Sequence, residues 1–212
     1  MKITKLVHSC LLVEMPAPVN RTALFDPGSM STVDVDSLEY LDDIIITHGH
    51  GDHFDPELVK RLVTKFPDVH ITAPDEVVAR LNAESIPATS AASEGIVFFD
   101  SPHEVVRPLL ATEPPQEIGV HYLGKLSHPG DSHSFHETKE VLALPVQAPW
   151  GSTVRAVQLA LELKPKYIIP IHDWHWRDEA RESLYAGMEQ FFAGNGITFI
   201  RAVNGEPFVL DI

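Results

Sequence analysis

One cysteine in 212 residues, Cys10, gives an internal disulfide nothing to join, so the fold does not depend on an oxidising compartment. Basic residues are scarce as well. Sixteen lysines and arginines stand against 30 acidic residues, for a formal net charge of −14. That balance argues against nucleic acid as a partner, because phosphates must be neutralised by a basic surface. No apolar run approaches the ~20 residues that a membrane-spanning helix needs. The opening, Met1-Lys2-Ile3-Thr4-Lys5-Leu6-Val7-His8, puts lysines and a histidine where a secretory signal would carry an unbroken apolar stretch, and it reads as a first strand. The expectation is a cytoplasmic protein with a small-molecule substrate, no membrane partner and no nucleic acid. Oligomeric state is left open. No repeat, low-complexity tract or linker divides the chain, so residues 1–212 read as a single domain.

Histidine, by contrast, is abundant, with 12 copies, and it is the commonest metal ligand. The elements that carry these histidines can be read from patterning. Short β-branched or apolar runs predict strands at 3–6, 10–14, 23–26, 43–47, 70–72, 97–100, 118–123, 141–145, 167–171, 197–201 and 208–210. Asp55-Pro56 predicts a helix start, with aspartate as cap and proline in the first turn. Further helices are predicted from Pro74, from Ser152 to about Leu163 along Val154, Val157, Leu159 and Leu161, and over 178–192, stopped by Gly194 and Gly196. Strands outnumber helices in both halves, which predicts a layered α/β fold with two sheets and outer helices.

The sharpest local feature is Thr47-His48-Gly49-His50-Gly51-Asp52-His53, directly after the apolar strand Asp43-Ile44-Ile45-Ile46. Imidazoles and a carboxylate suit zinc and related divalent ions. Alternate residues at a strand end share a side, so His48 and His50 can converge on one point. The glycines ease a tight turn that swings Asp52 and His53 towards another. Such a pattern arises by chance in roughly a few chains per thousand. Three more candidates sit on strand ends, where a rigid scaffold presents ligands well: His103, Asp131 in His128-Pro129-Gly130-Asp131-Ser132, and His172 in Ile169-Pro170-Ile171-His172.

The ordered set of Asp26 (in Leu24-Phe25-Asp26-Pro27-Gly28), His48, His50, Asp52, His53, His103, Asp131 and His172 resembles the metallo-β-lactamase-fold hydrolases. Within them it is similar to the branch of ascorbate-6-phosphate lactonase and of bacterial metal-dependent hydrolases, which the opening His8-Ser9-Cys10 also matches. The resemblance runs along essentially the whole chain. Ser132 stands where that family usually has threonine.

The resemblance implies a four-layer αββα sandwich and two divalent metal ions, taken as zinc, with manganese and iron equally suited to such ligands. It assigns His48, His50 and His103 to one metal and Asp52, His53 and His172 to the other, with Asp131 bridging. It gives Asp26 the task of orienting a ligand histidine. Paired metals can share and deprotonate a water, and their charge makes a cationic pocket for a developing oxyanion. The implied reaction is hydrolysis of a small, anionic ester, lactone or phosphodiester, with Asp52 and Asp131 as catalytic carboxylates. The competing readings are a metal-binding or sensing protein without turnover, and a metal-dependent redox enzyme.

Other residues are candidates for lesser roles. His8 sits at the first hairpin, and His128 and His175 lie close in sequence to proposed ligands; His128 reads as a proton carrier, His8 and His175 as supports. His121, mid-strand, is the alternative to His103 as the third ligand. Trp150, Trp174 and Trp176 are candidates to line a pocket mouth, and the Pro-rich loop 107–117 is a candidate lid.

Overall fold

The computed structural model describes residues 1–106 and 113–212, so part of the loop 107–117 lies outside the described residues. The chain divides into two compact units. One comprises residues 1–92, 115–117 and 203–212; the other comprises 93–114 and 118–202.

The first unit holds a six-stranded sheet. Strands β1 (Lys2–Lys5), β2 (Leu11–Met15) and β3 (Arg21–Phe25) form an antiparallel meander. Strands β4 (Asp43–Ile45) and β5 (His70–Thr72) continue it in parallel with β3, and a late strand over Pro207–Val209 pairs with the free side of β1. Parallel pairing brings the carboxyl ends of β3 and β4 to the same edge, the usual place for a site in such sheets.

Both strands stop earlier than the sequence predicts, and one residue accounts for both. Asp26 leaves the extended region at φ 45°, which ends β3. Its Oδ1 then takes the Thr47 N–H at 2.8 Å, so that donor leaves the ladder and β4 ends at Ile45. Helix α1 (Pro56–Lys65) starts where predicted, with the Asp55 carboxylate accepting the Glu57 and Leu58 N–H groups. Its Leu58, Val59 and Leu62 meet Leu24, Ile44 and Ile71 of the sheet and Val77 and Leu81 of α2 (Asp75–Ala83) in one apolar cluster. Each such buried side chain contributes about 1.5–3 kcal/mol.

The second unit has its own six-stranded sheet and its own core. Its strands are β6 (Ile96–Phe99), β7 (Gly119–Tyr122), β8 (Leu126–His128), β9 (Val141–Pro145), β10 (Tyr167–Ile171) and β11 (Thr198–Phe199), in spatial order β11-β10-β9-β8-β7-β6. Strands β6, β7 and β8 alternate in direction, while β8 through β11 run parallel. The carboxyl ends of β6, β8, β9 and β10 therefore share one edge.

Helices α3 (Thr153–Leu163) and α4 (Asp178–Ala193) join Leu142, Leu144, Ile168 and Phe199 in the apolar cluster of this unit. Ser152 caps α3 as predicted, and the predicted inward face holds in part. Leu159 is buried and Val157 packs against the core, but Ala156 and Ala160 complete the buried stripe, whereas Val154 is 67% exposed. At helical spacing 156, 159 and 160 share one face, and 154 and 161 fall on the opposite one. Strand β11 is also shorter than the predicted 197–201, because the Ala202 N–H turns back to the Ile200 carbonyl. The two sheets flanked by helices are the mixed α/β class that the sequence predicts. Among the described residues, no helix is long and apolar enough to cross a membrane.

Candidate metal centre

In the first unit the site grows from two loops at one sheet edge. The loop after β4 folds into a tight turn in which the His50 carbonyl accepts the His53 and Phe54 N–H groups at 3.0 and 2.8 Å. The loop after β3 braces it: Ser29 N–H donates to the Gly51 carbonyl and Asp55 N–H to the Pro27 carbonyl. Between these contacts Gly28 lies so close that a Cβ there would fall 1.8 Å from the Asp52 carbonyl oxygen.

Asp26, fully buried, accepts from Thr47 N, Thr47 Oγ1 and His53 Nδ1 at 2.8, 2.9 and 2.8 Å. On the other side of the turn, His48 Nδ1 lies 3.1 Å from Glu117 Oε2, both side chains fully buried. The ligand atoms of His8, Asp52 and His53 all lie within 4.8 Å of one another, as do those of His48 and His50. His8 Nε2 stands 3.1 Å from Asp52 Oδ2, and His53 Nε2 stands 3.8 Å from the same oxygen. His50 is exposed, its ring edge-on to His48.

In the second unit the residues come from separate strand ends. His103 Nδ1 donates to the Glu104 carbonyl at 2.6 Å and His172 Nδ1 to the Gln147 carbonyl at 2.7 Å. Asp131 Oδ2 then lies 3.2 Å from His172 Nε2 and 3.8 Å from His103 Nε2, and it accepts the Trp150 Nε1–H at 3.2 Å. The residue after His172, Asp173, is buried and paired with Arg181 Nε at 2.9 Å and with the Tyr185 hydroxyl. Burial, then the Asp173 charge, pushes that hydroxyl well above its usual pKa.

This donor set fits a cation. A carbonyl can only accept, so the proton of a neutral His103 or His172 is on Nδ1, and Nε2 presents a lone pair towards the Asp131 carboxylate. Two acceptors facing each other call for a positive charge between them. Ligand atoms on one tetrahedral zinc stand about 3.3 Å apart, close to the 3.1–3.8 Å seen around Asp52 and Asp131. Anchoring of Nδ1 by a carboxylate or carbonyl, as His48, His53, His103 and His172 all show, is the usual support of a ligating imidazole. His8, Asp26 and His172 also hold positive φ values of 55°, 45° and 61°, strain of the kind that gathers at functional sites.

Other candidates fall away from the donor set. His121 Nδ1 is bonded to Ser127 Oγ, its Nε2 lies 3.2 Å from Glu137, and its ring stacks on Phe99, which favours His103 as the ligand. His128 is fully buried, its Nδ1 accepting the Gly130 N–H at 3.3 Å. His175 is exposed; partial desolvation, then neighbouring His172, lower its pKa. Cys10 lies in the apolar cluster and belongs to neither donor group, and burial, then Asp26, raises its thiol pKa. Of the tryptophans, Trp150 reaches Asp131, Trp174 is half exposed, and Trp176 packs against the core. Glu117 enters the sequence reading only as the last residue of the loop 107–117, since it sits in no motif.

The profile of the β-lactamase superfamily domain matches residues 2–172. The chain belongs to that superfamily. Protein Rv0786c of Mycobacterium tuberculosis is 28% identical over 206 residues, covering 90% of this chain and 92% of the relative. A UPF0173 metal-dependent hydrolase of Carboxydothermus hydrogenoformans is 26% identical over 201 residues, covering 83% and 86%. Among solved structures, Igni18, a metallo hydrolase of the archaeon Ignicoccus hospitalis, superposes with a TM-score of 0.70 at 17% identity, covering 99% of each chain. Membership thus lies with the metallo-β-lactamase-fold metal-dependent hydrolases, as the motif set implies.

Proposed function

We propose that the chain is a dinuclear metal-dependent hydrolase of small, anionic esters, lactones or phosphodiesters, a cytoplasmic enzyme without a nucleic-acid or membrane partner. The observation that supports it most is the repeated arrangement of a carboxylate oxygen, Asp52 in one unit and Asp131 in the other, with imidazole Nε2 atoms held against it. The proposal takes the ligands as His48, His50, Asp52, His53, His103, Asp131 and His172, and the chain as one working domain, in keeping with a family match that runs through both units.

Bound divalent ions, zinc first among those suited to these donors, supply Lewis acidity and the charge that activates water. The chain's own residues hold and orient. Asp26 fixes the tautomer of His53, and Glu117 that of His48. Trp150 fixes the rotamer of Asp131, and His8 stands on Asp52. Asp52 and Asp131 are the catalytic carboxylates, placed to hold or pass a proton at Oδ2. His128, whose Nδ1 accepts the Gly130 N–H, positions the turn before Asp131. His175, exposed beside His172, is the group taken to meet a substrate.

The test is a hydrolysis screen of metal-free and zinc- or manganese-reconstituted protein on lactones, carboxylic esters and phosphodiesters. Turnover that appears with metal on one class is expected and names that class. Stoichiometric metal with no turnover on any class would contradict the hydrolase reading.

A further inference from the structure

The two ligand segments around Asp131 come from strands that are not neighbours. His103 follows β6 and Asp131 follows β8, with β7 between them in the sheet. No ladder hydrogen bond joins β6 to β8 directly, and both residues lie in loops beyond their strand ends, so contacts between those loops add to the spacing that the sheet sets.

Glu104 supplies four bonds there through three atoms. Its N–H donates to the Asp131 carbonyl at 2.9 Å, and its carbonyl accepts from His103 Nδ1 at 2.6 Å. Its carboxylate Oε1 accepts from the His133 N–H at 3.1 Å and from Ser134 Oγ at 2.7 Å. One residue therefore grips the His103 ring through its main chain and the segment after Asp131 through its side chain. Ser101 adds one bond between the same two segments, its Oγ donating to the Pro129 carbonyl at 2.7 Å.

We infer that Glu104 is a positioning residue for the Asp131 half of the metal site: its carboxylate clamps the Asp131–Ser134 loop so that His103 Nε2 and Asp131 Oδ2 hold their spacing. The inference rests on the proposed metal site. A carboxylate with one oxygen accepting two donors is stronger than a neutral acceptor, and the clamp is lost when the side chain is cut back. Support of this kind around metal ligands is worth about ten- to a hundredfold in metal affinity.

The experiment is zinc titration with a competing chelator on the full chain, comparing wild type, Glu104→Ala and Glu104→Gln, with thermal unfolding of the metal-free proteins alongside. Glu104→Ala is expected to lose about ten- to a hundredfold in affinity for one zinc while its metal-free melting temperature stays near wild type. Glu104→Gln keeps an oxygen that accepts from His133 and Ser134, and it is expected to recover most of that loss. Wild-type affinity in Glu104→Ala would overturn the inference. So would a metal-free melting temperature that falls in step with affinity in both variants, which marks a merely structural residue. Failure of the metal site itself would show differently, as wild-type protein that takes up no zinc.

Discussion

Asp52 and Asp131 each gather imidazole nitrogens about a carboxylate oxygen, yet the chain reaches the two arrangements by different routes. Within its own unit Asp52 has one adjacent partner, His53 in the same turn, and one from a distance, His8. Around Asp131 nothing is local: His103 lies 28 residues before it and His172 lies 41 after, each on its own strand end. The first arrangement is fixed by backbone packing of two short loops, with Gly28 against Asp52 and Asp26 across Thr47 and His53. The second is fixed by side chains and carbonyls that tie separate loops together: Glu104, Gln147, Trp150 and Asp173. A local turn is rigid but intolerant of added bulk. Tied strand ends tolerate bulk and lose geometry one contact at a time.

The sharpest break of that comparison is steric. Gly28→Ala would place a Cβ against the backbone of Asp52, which cannot swing aside, and should cost about 3 kcal/mol. That is a fall in melting temperature of roughly 6–12 °C for a chain of this size. Gly151→Ala in the other unit meets the His133 ring, a side chain and not backbone, and should cost about 1 kcal/mol. Equal losses in thermal unfolding would contradict the contrast.

Next comes Asp26→Asn, which weakens the support of His53 and should lower zinc affinity about ten- to a hundredfold by chelator competition. Trp150→Phe removes a single N–H donor from Asp131, one tie among several. The expected loss is about fivefold, the worth of roughly 1 kcal/mol, and a hundredfold loss would mean that the ties in that unit are not shared.

The smallest effect concerns His121, bonded to Ser127 Oγ and stacked on Phe99. Burial lowers its pKa below the ordinary 6.5, with Glu137 opposing and Lys139 adding to the depression. The folded state therefore takes up the proton less readily than the unfolded chain. Its contribution to stability is whole above about pH 6.5 and is lost as pH falls towards the depressed folded value. Metal-free His121→Gln should lose stability less steeply than wild type between pH 7 and 5 in denaturant titrations. Parallel slopes would refute this.

Much of this was legible in sequence because it is local. The turn from His48 to His53, the Asp55 cap, the Ser152 cap and the strand ends before His103 and His172 all follow from short-range patterning. What stayed hidden depends on contacts that patterning does not encode. Strand β8 has three residues, too short to stand out before His128-Pro129-Gly130. Glu117 reaches His48 from a position with no periodic signal, and the Glu104 carboxylate acts on residues about thirty positions away. On α3 the sequence points to Leu159 and Val157 but not to Ala156 and Ala160, whose small side chains carry little hydrophobic signal, and Val154 faces water.

The central claim is that both arrangements hold metal. Its most direct test is elemental analysis of the purified, reconstituted chain beside His48→Ala and Asp131→Ala. The account predicts about two divalent ions per chain in wild type and fewer in each variant, with both variants still folded. No stoichiometric metal in wild type, or the wild-type count in both variants, would contradict it.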